Sequence, residues 1–264
     1  MTTVTGRFTV LLALASIAGI ASARIDLPWD GGYFGVNVGD ASSSTCNSWA
    51  LSGPMIDGAI ASEFNNRDCA TSGALVGGVQ VGENFQYQRL MLGIAADLDF
   101  WSAKDLNQSL KYSGAAPPPG SYDFSSKQGP SEFAVIGPRI GYAGDTWLPY
   151  LRMGAVITAG SHNSRLSYTP AGATIPTASF GGGKDLSTTG WAAGGGVEVG
   201  LNGAWSISAE YLHVSLGKGS DSTATCNGSV SACAALSGIA FENSHEGFSA
   251  NLFRVGVTYW FGYW

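Results

Sequence analysis

Seven charged residues are of types that do either catalysis or structural pairing: Asp97, Asp99, Glu198 and Glu210 supply carboxylates, and Arg139, Arg152 and Arg254 supply guanidinium groups. Carboxylate pairs serve general acid–base or glycosidic chemistry, whereas guanidinium groups clamp carboxylates and phosphates. A second candidate is His213-Val214-Ser215, which sets a base and a nucleophile two residues apart. Four thiols, Cys46, Cys69, Cys226 and Cys233, are open to disulfide formation. They lack the close Cys/His spacing of a zinc site. Gly181-Gly-Gly-Lys184-Asp185 has neither the leading Gly nor the Ser/Thr of a phosphate loop, His245-Glu246 has no second His, and His162 stands alone. No cofactor or metal is therefore expected, and which of the remaining chemistries is open depends on the elements that carry these residues.

Of the 264 residues, 12% are charged and 38 are Gly. A globular chain carries roughly 25% charged residues, so something other than a wide solvated surface covers this one. Beyond the N-terminus no apolar run reaches the length of a membrane helix. Residues 1–23 read as a secretory signal peptide, with Arg7 in the basic region, an apolar stretch over 8–20 and Ala21-Ser22-Ala23 at the cleavage site. The domain to be folded is then 24–264. Removing Arg7 leaves 12 Lys+Arg against 19 Asp+Glu, a charge of −7, which argues against nucleic acid as a partner. Export to an oxidising compartment favours disulfides, and local pairing (Cys46 with Cys69, Cys226 with Cys233) has the least loop-closure cost among the three connectivities.

The organising signal is alternation. From Phe253 to Phe261 every second residue is apolar or aromatic (Phe253, Val255, Val257, Tyr259, Phe261), the period of a strand with one greasy face. The same period marks 32–39, 74–83, 89–101, 131–143, 150–160, 186–201, 205–216 and 248–261. Short turns at 84–88, 144–149 and 202–204 alternate with long polar stretches at 40–72, 102–130, 161–185 and 217–247. Eight strands, three short turns and four long loops in strict alternation predict an all-β fold, an eight-stranded antiparallel up-and-down transmembrane β-barrel with long extracellular loops and short periplasmic turns. Aromatic residues near the turns (Trp29, Tyr33, Phe34, Phe85, Tyr87, Trp147, Tyr150, Trp205, Tyr259, Trp260) and a smaller set near the loops (Phe100, Trp101, Phe133, Trp191, Tyr211, Phe248) are expected to form two girdles. Pro138 donates no ladder bond and predicts a bulge or a weakened pairing.

With the greasy positions facing lipid, Asp97, Asp99, Arg139, Arg152, Glu198, Glu210 and Arg254 all fall in the lumen. A charge at the midplane of the lipid face costs about 2–4 kcal/mol, so this shared phase is a demanding condition. Eight strands enclose a space that side chains just fill, and the seven charges read as a polar plug, joined by Asn37 and Gln80 and given room by inward glycines such as Gly93, Gly194 and Gly196.

Gly32-Tyr-Phe-Gly-Val-Asn-Val-Gly39 after Trp29, Ala209-Glu-Tyr-Leu-His-Val-Ser215, and Asn251-Leu-Phe-Arg-Val-Gly-Val-Thr-Tyr-Trp-Phe261 resemble the small eight-stranded outer-membrane β-barrel family, within it the porin-like surface-antigen or outer membrane immunogenic type of alphaproteobacteria. The resemblance implies residence in the outer membrane and a closing strand (Phe253, Val255, Val257, Tyr259, Phe261) read by the barrel-assembly machinery and its periplasmic chaperones; the sequence leaves the oligomeric state open, with a monomer favoured. Gly262-Tyr263-Trp264 extend past the family's usual terminal aromatic, so Phe261 and Trp264 both remain candidates for the residue read. His213 and Ser215 depart from the family pattern. A His-x-Ser pair on a barrel's outer face is similar to that of lipid A deacylases, although Leu216 follows where those enzymes carry Asn.

The expected function is that of a non-enzymatic integral outer-membrane protein, which contributes to envelope integrity, displays hydrophilic acidic loops (Asp40, Asp57, Glu63, Asp68, Asp221, Glu242, Glu246) and has membrane lipid and lipopolysaccharide as partners. The alternatives are a narrow porin-like channel and a lipid-modifying enzyme.

Overall fold

The computed structural model describes residues 29–52, 66–101, 106–114, 120–174, 178–201, 204–217, 219–221, 225–228 and 240–261. The leader at 1–23, Cys233 and Trp264 lie outside them. Eight long strands form the wall: β1 (Gly31–Ser52), β2 (Asn66–Tyr87), β3 (Leu90–Trp101), β5 (Gly120–Tyr142), β6 (Trp147–Pro170), β7 (Ala178–Gly200), β8 (Trp205–Leu216) and β11 (Ala240–Trp260). Each pairs antiparallel with the next, and β11 returns to β1, so the sheet closes into a barrel. Three short strands lie off the closed wall: β4 (Leu106–Gly114) on β5, β9 (Gly219–Asp221) on β11 and β10 (Thr225–Gly228) on β7.

Following paired residues once around the wall from Phe34, through Val81, Ala96, Ile136, Ala155, Trp191, Ser215 and Ser249, ends at Ser44 on the starting strand. The stagger is thus ten residues, which for eight strands sets a tilt of about 40° and a narrow bore.

The alternation places the outward face as expected. Val36, Val38, Leu92, Ile94, Leu151, Met153, Ile207 and Val255 are all exposed. Several boundaries differ. The polar stretches expected as loops are largely strand: β1 runs on to Ser52, β2 begins at Asn66, and β5, β6 and β7 extend similarly beyond the apolar band. Ladder hydrogen bonds propagate a strand without any greasy face, so the strand outlasts the alternation that marks it. Asp40, expected in a loop, is an exposed, outward residue of β1. The first turn contracts to Gln88-Arg89, where Gln88 takes φ 54°, and residues 84–87 belong to β2.

The aromatic residues also divide differently from two outer girdles. Phe34, Phe85, Tyr87, Phe100, Trp147, Trp191, Trp205 and Tyr211 face outward, but Trp29, Tyr33, Tyr150 and Trp260 are buried at one end of the lumen and Trp101, Phe133 and Phe248 near the other. Strand parity decides this, since each of the inward strand residues stands an even number of places from a lumen residue.

Pro138 interrupts pairing without a bulge. On β6 the ladder stops at Ile136↔Ala155 and resumes in unchanged register at Arg139↔Arg152, while Pro138 still opposes Ile94 on β3. Its missing N–H therefore weakens one seam only.

Cys46 and Cys69 are cross-strand partners on β1 and β2, joined by a disulfide with their Cα atoms 4.1 Å apart. A register shift between β1 and β11 accompanies them at Thr45/Asn47, opposite Gly247 with φ 119°. The Cys226–Cys233 pairing lies partly outside the described residues.

Candidate functional site

The lumen is built in three layers. At the turn end Trp29, Tyr33, Met91, Leu148, Tyr150 and Trp260 pack together. Trp29 and Trp260 meet edge to face at 5.8 Å, and the Trp29 indole N–H donates to the Gly144 carbonyl at 2.8 Å. Toward the long-strand end a larger apolar cluster includes Val76, Trp101, Phe133, Val156, Leu212 and Phe248, in which Trp101 meets Phe133 and Phe248 edge to face. Between these two apolar layers lie all seven charged residues, each buried. The lumen is thus not polar throughout, as the alternation alone suggests: the charged belt is flanked by apolar clusters, beside which Asn84 and Gln86 at the turn end and Ser43, Thr45 and Thr158 at the other are also buried.

The belt has two joined parts. In the lower part Arg139 donates to Glu198 at 3.1 Å and to the Tyr33 hydroxyl at 2.9 Å, with its guanidinium carbon 4.1 Å from the centre of the Tyr150 ring. The other oxygen of Glu198 accepts from Ser206, whose hydroxyl in turn accepts from the Trp260 indole at 2.9 Å. In the upper part Arg254 donates to Asp99 at 2.6 Å, to Asp97 at 3.1 Å and to Glu210, and Arg152 donates to Asp97 and, at 3.4 Å, to Glu210. Tyr150 links the parts, since its hydroxyl donates to Glu210 at 2.9 Å while its face carries Arg139.

Glycines make these reaches possible. Tyr150, Gly196 and Glu210 are successive partners across β6, β7 and β8, and a Cβ at Gly196 would stand 2.9 Å from the Tyr150 hydroxyl. Asn37, Gly78 and Asp99 make a similar row across β1, β2 and β3. Gln80 does not join the charged belt; its amide donates to Thr258 at 3.0 Å. Asn37 is half-buried, with its amide atoms enclosed beside the second oxygen of Asp99.

Sequence reasoning missed Tyr33, Tyr150, Ser206 and Trp260 as members of this belt. Their parity was the available signal: each stands on the lumen side of a strand that already carries an inward residue.

The belt offers ion pairing and little catalysis. Each carboxylate is engaged by at least one guanidinium, and apolar clusters lie toward both ends of the barrel. Pairing and hydrogen bonding are what allow buried charges to persist.

The His213–Ser215 pair lies elsewhere, half-buried on the outer face of β8. His213 Nδ1 stands 2.8 Å from the side-chain oxygen of Asn251 on β11, and Ser215 is one row further along. In the closing strand Phe253, Val255, Val257 and Phe261 are exposed and Tyr259 is half-exposed.

The outer membrane protein beta-barrel domain family matches residues 9–261. The 31 kDa outer-membrane immunogenic protein of Brucella melitensis is 26% identical over 195 residues, covering 72% of this chain and 72% of the Brucella protein. Among solved structures, Neisserial surface protein A aligns with 86% of this chain and 97% of its own, at 12% identity and a TM-score of 0.36. The outer membrane protease OmpT of Escherichia coli aligns with 90% of this chain and 99% of its own, at 10% identity and a TM-score of 0.44. A closed eight-stranded barrel, apolar on its outer wall and charged within, is thus matched by one family over nearly its whole length, and the chain belongs to the outer membrane protein beta-barrel domain family.

Proposed function

We propose that this outer-membrane protein is a closed, non-enzymatic barrel that contributes to envelope integrity and presents its long strands and loops at the cell surface, where adhesion or antigen display would reside. The observation that carries this reading is the lumen itself: seven buried charges pair with one another across it, with apolar clusters packed toward both ends. In this reading the charges are a structural plug, membrane lipid and lipopolysaccharide surround the wall, and residues 1–23 are a cleaved export signal. The closing strand, with Phe253, Val255, Val257, Tyr259 and Phe261 aligned on one face, is what the assembly machinery and periplasmic chaperones would recognise, and the barrel functions as a monomer.

Planar-bilayer conductance of the refolded protein tests the plug, alongside a double variant Arg152→Ala/Glu210→Ala. A silent wild type is expected, with openings appearing in the variant. Steady conductance from the wild type would replace this reading with a narrow porin-like channel.

A further inference from the structure

Trp29 and Asp30 stand outside the wall. The ladder of β1 begins at Gly31, paired with Asn84, yet Trp29 before it is only 2% exposed. Gly31 takes φ 113°, a conformation that glycine adopts without strain, and at this residue the chain leaves the wall for the mouth of the barrel. The Trp29 indole then crosses that mouth. Its N–H donates to the Gly144 carbonyl at 2.8 Å between β5 and β6, a Cβ at Gly200 on the end of β7 would stand 3.7 Å from its ring, and it meets Trp260 of β11 at 5.8 Å. The Trp29 backbone N–H donates to the side-chain oxygen of Gln86 on β2 at 3.2 Å. Around the eight-stranded wall these are the second strand, the junction of the fourth and fifth, the sixth and the eighth, so one residue spans the bore.

The segment closes the wall without being part of it. The Asp30 carboxylate accepts from the Gln86 backbone N–H at 3.0 Å, beyond the point at which β1 supplies β2 with a ladder partner. Each of these three bonds uses a side chain on one partner, and none is a rung between neighbouring strands. Their loss leaves every strand pairing in place, which is the condition for a local opening.

Behind the segment lies the charged belt. The Trp260 indole against which Trp29 packs donates to Ser206, and Ser206 donates to Glu198, the partner of Arg139. Asn84, Gly93 and Arg139 form a row across β2, β3 and β5, and a Cβ at Gly93 would clash with the Asn84 amide and meet Arg139 Cγ at 3.2 Å. Both side chains therefore lean over Gly93. Among the described residues the buried amide of Asn84 and Nε of Arg139 have no hydrogen-bond partner, so both are ready to take up water.

We infer that Trp29 and Asp30 form a removable stopper, a gate that admits water and small hydrophilic solutes to a chamber at the turn end. Seated, the indole closes the mouth. Swung out about Gly31, it opens the lumen as far as Asn84, Arg139 and Glu198, while the apolar cluster toward the long-strand end stays packed. The chamber is an antechamber and not a through-channel. The inference rests on the plug reading, because the paired charges are what ends the chamber.

The test uses the full chain refolded in mild detergent and a small charged methanethiosulfonate as the probe. One thiol is placed under the stopper by Ala143→Cys, in the cluster that contains Trp29, and another in the far apolar cluster by Ala192→Cys. The parent chain gives the background, and each variant must show the heat-shifted band of a folded barrel. With the stopper intact Ala143→Cys should label about ten-fold faster than Ala192→Cys, since local opening outruns unfolding. Asp30→Ala and Trp29→Ala should each speed it about ten-fold more, the factor expected for losing a bond to a charged group, and leave Ala192→Cys unchanged. Equal rates at the two thiols overturn the inference, because the segment then opens only as the barrel unfolds. An Ala143→Cys rate unmoved by either substitution also overturns it, because something else closes the mouth. Steady conductance from the unaltered chain overturns the plug whatever the thiols do, whereas silence with equal labelling overturns the stopper alone.

Discussion

Tyr150 donates its hydroxyl proton to Glu210 at 2.9 Å across Gly196, a position on the intervening strand where a side chain would block the contact. The same tyrosine ring lies against Arg139, so one residue couples the two halves of the charged belt. Tyr150→Phe removes a hydrogen bond to an ionised group and is expected to lower unfolding stability by about 1.5 kcal/mol. Gly196→Val, which places branched carbons in that path, should cost more. Urea titration of refolded barrels in lipid vesicles, read by tryptophan fluorescence, measures both.

Arg254 is the most heavily engaged cation, with Asp97, Asp99 and Glu210 all bonded to it. Arg254→Met leaves three buried carboxylates with less than their compensation, and breaking such a buried set typically costs about 3–5 kcal/mol. The same titration should show it, and a triple change that also neutralises Asp97 and Asp99 should recover part of the loss.

The described belt holds four carboxylates against three guanidinium groups, and Asp99 pairs with a single one, Arg254. A buried carboxylate paired with one guanidinium loses less on becoming an amide than one paired with two. Asp99→Asn is expected to be neutral or stabilising, whereas Asp97→Asn, which weakens pairs to both Arg152 and Arg254, should destabilise. Equal losses from the two substitutions would contradict this assignment.

Val255 faces outward and is 48% exposed, opposite Val38 and Ala209. Val255→Arg sets a guanidinium on the lipid face and should cost about 2–4 kcal/mol if the position lies near the midplane. Ser249→Arg, six residues along the same face toward the long-strand end, should cost far less. The difference between the two, measured in the same vesicles, tests the membrane frame directly.

The Cys46–Cys69 disulfide closes a 23-residue separation between strands that are already hydrogen-bonded in register. A loop of this length corresponds to about 3 kcal/mol of restricted unfolded-state entropy. Cys46→Ala should therefore expose the β1–β2 end to limited proteolysis while the apolar-walled part of the barrel remains protected, as seen by the fragment pattern on gels.

Much of this architecture is written in the order of residues. A period of two has only two phases, and a charge on the lipid face is expensive, so the sequence by itself determined strand number, the outward set from Val36 to Val257, and the side on which Asp97, Asp99, Arg139, Arg152, Glu198, Glu210 and Arg254 stand. It did not determine where strands stop, because ladder hydrogen bonds continue β1 through Ser43, Ser44 and Thr45 without any alternation of polarity. Nor did it determine which arginine meets which acid. That depends on the ten-residue stagger, which brings Arg254 of β11 to Asp97 and Asp99 of β3 and lets Tyr150 pass over Gly196, contacts between residues 44 to 157 apart in the chain. Parity is local and can be read from one strand at a time; register is a property of the closed barrel, and only the tertiary structure decided it.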